Sequence, residues 1–295
     1  MRKLFLILLS CTLFLSSCEF VTKAPAEGSL NYLIVSQNYT HNTSVSSLNC
    51  CIADGISMEL VLRQCAADSG RTIGRGMLLT DEDANLHVSD MSGGINALAS
   101  SATSKDLTII FYSGHGIYVD VKSLPSRASL LGALVFSGSP TQGTAYDLYT
   151  AGDILADINT IPGKKLLILD SCYSGKVVDL YGVTGTAGMD KDLWDIYFND
   201  ASYGLSDLFL FTAATSATES KERTDLGHGY FTYGVLKSLG WQSDTEIGKP
   251  TILRNGYVML DALRDAAGTI ASSYNSGQVA TVNGTSDNMV LFDYN

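Results

Sequence analysis

The sequence is short of positive charge. Its 19 Lys and Arg stand against 30 Asp and Glu, a net charge of −11, which argues against nucleic acid as a partner because phosphate binding rests on basic side chains. A basic partner or substrate is easier to accommodate. Metal-binding spacings are missing too: there is no CxxC and no HxxxH, so structural zinc is not expected. Beyond the first residues no apolar run is long enough to cross a bilayer, and neither an internal repeat nor a low-complexity tract occurs. Outside that opening stretch the cysteines are Cys50, Cys51, Cys65 and Cys172. If Cys51 and Cys65 share a helix, the 14 residues between them span about 21 Å, against a limit of about 7 Å for a disulfide. Adjacent Cys50 and Cys51 would pair only with strain, so a disulfide scaffold is not expected either.

What is present begins with MRKLFLILLSCTLFLSSC, where Arg2 and Lys3 precede an apolar run too short to span a bilayer. This is the layout of a secretory signal, and its ending Leu15-Ser16-Ser17-Cys18 resembles the lipobox of bacterial lipoproteins. The resemblance implies a signal peptide over 1–17, cleavage before Cys18, lipid on that cysteine, and a place in the cell envelope, anchored to the membrane. A box ending at Cys11 leaves a shorter apolar region, and an uncut membrane helix is the remaining alternative. Loss of Arg2 and Lys3 takes the net charge from −11 to −13. Residues 18–29 are small and polar and read as a tether. Residues 30–295 are long enough for one large domain.

Within that body, "LNYLIVS" from Leu30 reads as a strand, and "CIADGISMELVLRQCAA" from Cys51 as an amphipathic helix. "GMLLT" from Gly76 reads as a short buried strand, followed by the turn-like "DEDAN" and a helix over 91–101. "DLTIIFYS" from Asp106 and "KKLLILDS" from Lys164 are nearly continuous apolar runs, as expected of strands covered on both faces of a parallel sheet. The helix-like "TAGDILADINTI" between them gives length for a crossover. "LFLFTAA", helices over 231–241 and 256–270, and a closing strand "NMVLFDY" complete six strands. The alternation predicts a mostly parallel α/β sheet with helices on both faces. Residues 176–207 lack periodicity and read as a long functional loop.

In such a sheet ligands bind beyond the carboxyl ends of the strands. There "YSGHG" delivers His115 and "DSCYSG" delivers Cys172, each just past an apolar strand. A thiol attacks an acyl carbon only if its proton has a destination, and an imidazole can take it and pass it to the leaving amine. Gly114 and Gly116 let the backbone approach a substrate, and the amides of Gly116 and Cys172 suit an oxyanion. Taken singly, a cysteine at a strand end is more often a small buried hydrophobe.

"FYSGHG" and "LDSCYSG" resemble the His and Cys boxes of the caspase superfamily, most nearly those of metacaspases and bacterial caspase-like peptidases. "NYLIVSQNY", "LNCCIAD", "LLTDEDA", "TAATSATESKE" and "GHGYFTYGVLKSLG" are similar to family segments in the same order. The resemblance implies a three-layer caspase-like sandwich and a cysteine endopeptidase with His115 as base and acid and Cys172 as nucleophile. It implies a pocket for Arg or Lys formed by Cys51, Asp54, Ser113 and Asp170, hence a protein or peptide substrate with basic residues. Two carboxylates in one crevice suit a guanidinium on physical grounds. Asp54 serving a helix start and Asp170 holding a turn are the plainer readings of the same residues.

The sequence departs from the family at Cys50 and Ala53, which replace Gly and Asn of the first-helix box. Many metacaspases bind calcium through acids between the two boxes, but the only acid in 116–146 is Asp120, so calcium is unsupported, though left open, and no other cofactor is expected. Glu219 and Glu222 receive no role, and His41, His87 and His228 are expected at the surface. Self-cleavage after Lys176 or Lys191 is expected of an active form. Two other functions fit the same boxes: a catalytically silent surface binding protein, and a peptidase preferring Asp or Asn.

Overall fold

The computed structural model describes residues 28–118, 132–138, 147–173, 207–213, 221–275, 281–282 and 289–295. Cys18, most of the tether, Lys176, Lys191, Glu219 and nearly all of the 176–207 loop lie outside the described residues.

The chain runs β1 (Leu30–Ser36), α1 (Cys51–Asp68), β2 (Ile73–Thr80), α2 (Val88–Ser101), β3 (Leu107–Tyr118), β4 (Gly132–Phe136), β5 (Asp147–Thr150), α3 (Ala151–Asn159) and β6 (Lys164–Tyr173). It continues with β7 (Leu208–Thr212), β8 (Glu222–Arg223), β9 (His228–Gly229), α4 (Tyr230–Ser238), β10 (Trp241–Ser243), β11 (Glu246–Ile247), β12 (Tyr257–Met259), α5 (Leu260–Tyr274), β13 (Thr281–Val282) and β14 (Val290–Asp293). Among the described residues the central sheet has eight strands, six of them along the path β13-β7-β6-β3-β1-β2. The five from β7 to β2 are parallel, and β13 is antiparallel at the edge. The hairpin of β4 and β5 extends the end of β3.

Alternation along the inner strands sends successive side chains to opposite layers. Tyr32, Ile34, Ile109, Phe111, Leu166 and Ile168 pack with residues of α1, α4 and α5. Leu33, Val35, Ile110, Tyr112, Leu167 and Leu169 pack with residues of α2 and α3. The expected three layers, helix, sheet and helix, are therefore present. After β1 the chain passes through α1 to β2 on one side, then through α2 to β3 on the other. The order of connection reverses between β1 and β3, which opens a crevice at their carboxyl ends.

Three sequence expectations need correction. "NMVLFDY" does not join the central sheet: β14 pairs with β12 in a separate ribbon, and β13 takes the edge position. The "GMLLT" segment belongs to a longer edge strand that is partly exposed, because β2 has a neighbour on one side only. Finally, His115 and Cys172 are not past the ends of their strands. Pairing of Gly116, Ile117 and Tyr118 with β4 keeps β3 extended beyond the histidine.

Candidate active site

Parallel pairing of β3 with β6 sets His115 opposite Cys172 and Ser113 opposite Asp170. Adjacent strands run about 4.8 Å apart, so the two boxes form one site. The backbone of Cys172 is described; its side chain is not.

His115 is buried, and its Nε2 lies 2.7 Å from the carbonyl oxygen of Ser46. A carbonyl can only accept, so Nε2 carries the proton and Nδ1 offers its lone pair. Nδ1 is buried and has no hydrogen-bond partner among the described residues. Burial pushes the imidazole below the ordinary histidine value, opposed by the bond to Ser46 and the charge of Glu222. A neutral ring with its Nδ1 lone pair available is suited to take a proton.

Two tyrosines hold this histidine from behind. The Tyr39 hydroxyl accepts from the His115 amide at 2.8 Å and donates to the Val135 carbonyl at 2.7 Å. The Tyr112 hydroxyl donates to the His115 carbonyl at 2.9 Å and accepts from Gln37 Nε2 at 3.4 Å. The Tyr39 ring also packs against the imidazole, with centroids 4.7 Å apart. Gly114 is required by this packing: a Cβ there would lie 2.7 Å from both hydroxyls. Tyr39 has φ of 59°, a costly conformation for a bulky residue, and Asp81 braces it by accepting from the amides of Asn38 and Tyr39 at 2.8 and 2.7 Å.

Beside His115 lies a cluster of buried acids. Asp54, in the first turn of α1, accepts from Ser113 Oγ at Oδ2 (2.9 Å) and from His228 Nδ1 (2.9 Å) and the Gly229 amide (3.2 Å) at Oδ1. Burial, with the charge of Asp170, raises Asp54 to about 7, against the opposing pull of His228 and Ser113. Asp170 Oδ2 accepts from the amide and hydroxyl of Thr232 at 3.1 and 2.6 Å. That amide belongs to the first turn of α4, where the helix dipole favours an anion. Gly229 separates the two acids: a Cβ there would sit 2.6 Å from Asp170 Oδ2 and 3.4 Å from Asp54 Oδ2. Cys51 is buried three residues before Asp54, on the same side of α1. Asp54, Ser113 and Asp170 thus lie together, with Cys51 one turn before Asp54 on α1.

The structure adds residues the sequence reading left out. His228, expected at the surface, is buried because β9 turns it inward onto Asp54. The overlooked clue is a second Gly-His-Gly, 227–229, directly before a helix. Glu222 accepts from the Asn49 amide and Nδ2 (both 3.0 Å) and from the Cys50 amide (2.9 Å), which caps α1 where Cys50 supplies no capping side chain. Burial and the charge of Glu222 push the Cys50 thiol up to about 12, leaving it inert. Among the described residues no three His, Cys, Asp or Glu are grouped so as to hold a metal ion, and no helix is long and apolar enough to cross a membrane.

The family model for the metacaspase, peptidase C14 domain matches residues 31–181. The chain belongs to this family. The matched span contains both boxes of this metacaspase-family chain and ends before Glu222 and His228. Membership makes it a caspase-superfamily domain of the cysteine-peptidase class. Among solved structures, protein GSU0716 from Geobacter sulfurreducens is similar, with a TM-score of 0.54, 17% identity and coverage of 88% of this chain and 95% of that one. That likeness concerns the fold. None of the curated proteins compared matches the sequence.

Proposed function

We propose that this metacaspase-family chain is an active cysteine endopeptidase that cleaves after Arg or Lys. The observation that carries the reading is the register of β3 and β6, which places His115 opposite Cys172 beside the buried Asp54 and Asp170. In this scheme the Cys172 thiol gives its proton to His115 Nδ1, and the sulfur attacks the scissile carbonyl. The amides of Gly116 and Cys172 stabilise the oxyanion. Collapse breaks the C–N bond, the imidazolium protonates the leaving amine, and a thioester remains. Water, deprotonated by His115, attacks the thioester, which releases the acid and restores the thiol. The bonds from Nε2 to Ser46 and from Tyr39 and Tyr112 to the His115 backbone hold the ring through both proton transfers.

Asp54 and Asp170 supply the charge for a guanidinium or ammonium group, with Ser113 and Cys51 completing the pocket. A panel of peptide amides differing only before the scissile bond tests this. Arg and Lys substrates should be cleaved at least about 100-fold faster than Asp, Asn or Ala substrates, as expected of a charge-paired pocket. Activity should survive EDTA, since no step uses a metal. Equal turnover of the whole panel, or preference for Asp or Asn, would overturn the basic-pocket reading; failure to cleave any member would favour a silent binding protein.

We also propose that Cys18 carries lipid and tethers the peptidase to a membrane in the cell envelope. The motif Leu15-Ser16-Ser17-Cys18 behind a charged, apolar leader supports this. In membrane fractionation the wild-type chain should sediment with membranes and Cys18→Ala should become soluble. Retention of Cys18→Ala on membranes would rule out Cys18 as the anchor.

A further inference from the structure

His228 is outside the span matched by the family model, yet it is as deeply buried as His115. Its side chain is 4% exposed, that of Asp54 is 2% exposed, and Nδ1 and Oδ1 are 2.9 Å apart. The imidazole stands edge-on to Trp241, with centroids 4.9 Å apart and planes at 88°. Pairing of β8 with β9 fixes its backbone, and the Gly229 amide binds the same Asp54 oxygen.

A carboxylate this deep, close to a second one, is normally driven to its neutral form. A neutral Asp54 would be a poor partner for a guanidinium. Against that tendency stand the hydrogen bonds and charge of His228, and the bond from Ser113. The other titratable groups facing the pair are Asp170 from β6, Cys50 before α1, Arg223 from β8 and Tyr233 from α4. Lys237 and Asp244 sit one ring away, both on Trp241. Among these groups, His228 is the one whose nitrogen touches Asp54.

We propose, building on the basic-pocket reading above, that His228 is the positioning residue of that pocket: it orients Asp54 through Oδ1 and favours its ionised form, leaving Oδ2 turned toward Ser113 and the incoming cation. His228 is then a specificity determinant acting through Asp54, not a catalytic residue. The family model matches residues 31–181 and so does not reach this segment.

The test uses the full chain with Cys172→Ala, so that a ligand binds without being turned over. An N-acylated arginine amide is titrated by calorimetry between pH 6 and pH 9, with and without His228→Phe or His228→Asn. Phe keeps the ring and removes the donor. Asn retains a donor near the position of Nδ1. Affinity of the His228-intact protein should fall as pH drops through the range near 7 where Asp54 takes a proton. His228→Phe should bind about 10- to 100-fold more weakly at pH 7 and regain most of the loss by pH 9, where Asp54 ionises unaided. His228→Asn should lie between the two. In the active enzyme the defect should fall on KM more than on kcat.

If the His228-intact protein binds no arginine amide at any pH, the basic pocket is wrong and the role of His228 falls with it. If it binds, and His228→Phe binds equally well throughout, only the role of His228 is overturned. A loss that is the same at every pH would mark His228 as structural, which also overturns it. Should His228→Phe fail to fold, His228→Asn decides alone: an affinity profile superimposable on that of the intact residue rejects the proposal, and a profile displaced to higher pH supports it.

Discussion

Replacing Cys172 by Ala should lower hydrolysis of an arginine amide by at least about 10⁴-fold, the scale on which peptidases lose activity with their nucleophile. His115→Ala should cost about 10²- to 10⁴-fold, the usual range for a general acid–base group. The double variant should be no worse than Cys172→Ala alone, because the two groups act in one proton transfer. Both variants should keep the wild-type thermal transition if their role is chemical. The pH profile separates this machinery from the pocket. Burial holds His115 below the ordinary histidine value, so the ring stays a neutral base to lower pH and the acid limb of kcat lies below that value. Asp54 is raised to about 7, so it is ionised above that pH and lost as a cation partner below it. KM for an arginine substrate should therefore rise on acidification near pH 7, before kcat falls. A substrate without a basic side chain should show only the lower limb. Wild-type activity in Cys172→Ala, or coincident limbs for both substrates, would contradict the assignment.

How much of this site could be read in advance depended on how far each residue acts from its own segment. β3 and β6 were legible because Ile109, Ile110, Phe111, Leu167, Ile168 and Leu169 are buried on both faces, leaving a continuous apolar mark. The helix from Cys51 was legible but its buried face was not: Ile56 is exposed, and Met58, Val61, Leu62 and Cys65 enter the core. The hairpin of β4 and β5 was missed although Ala133, Leu134, Val135 and Phe136 form an apolar run; its place is fixed by pairing onto the end of β3. The same pairing extended β3 past His115, and pairing with β3 carried β6 past Cys172, where small residues had suggested an end. His228 and Glu222 were missed for a related reason. Their partners Asp54 and Cys50 are 174 and 172 residues away, and two-residue strands carry no periodicity. The Asp81 brace on Tyr39 likewise joins two loops that only the β1–β2 pairing brings together.

Asp170→Asn should raise KM for arginine substrates by at least about 30-fold, equivalent to about 2 kcal/mol, the lower end for loss of a buried charge partner. The substitution is informative because it removes the charge and can keep the two bonds from Thr232. Both donors from Thr232 converge on one oxygen, Oδ2, which an Asn carbonyl can replace, so the junction between β6 and α4 keeps its hydrogen bonds. What disappears is the negative charge. That charge also helps push Asp54 up, so Asp54 should titrate lower in the variant, and the acid rise in KM should move to lower pH. A plain packing defect would raise KM or lower kcat at every pH without moving that limb. The expected combination is therefore weaker capture of the cation at high pH together with a profile displaced toward acid. Unchanged selectivity for Arg over an uncharged residue in Asp170→Asn would remove Asp170 from the pocket and leave Asp54 as the carboxylate that recognises the substrate.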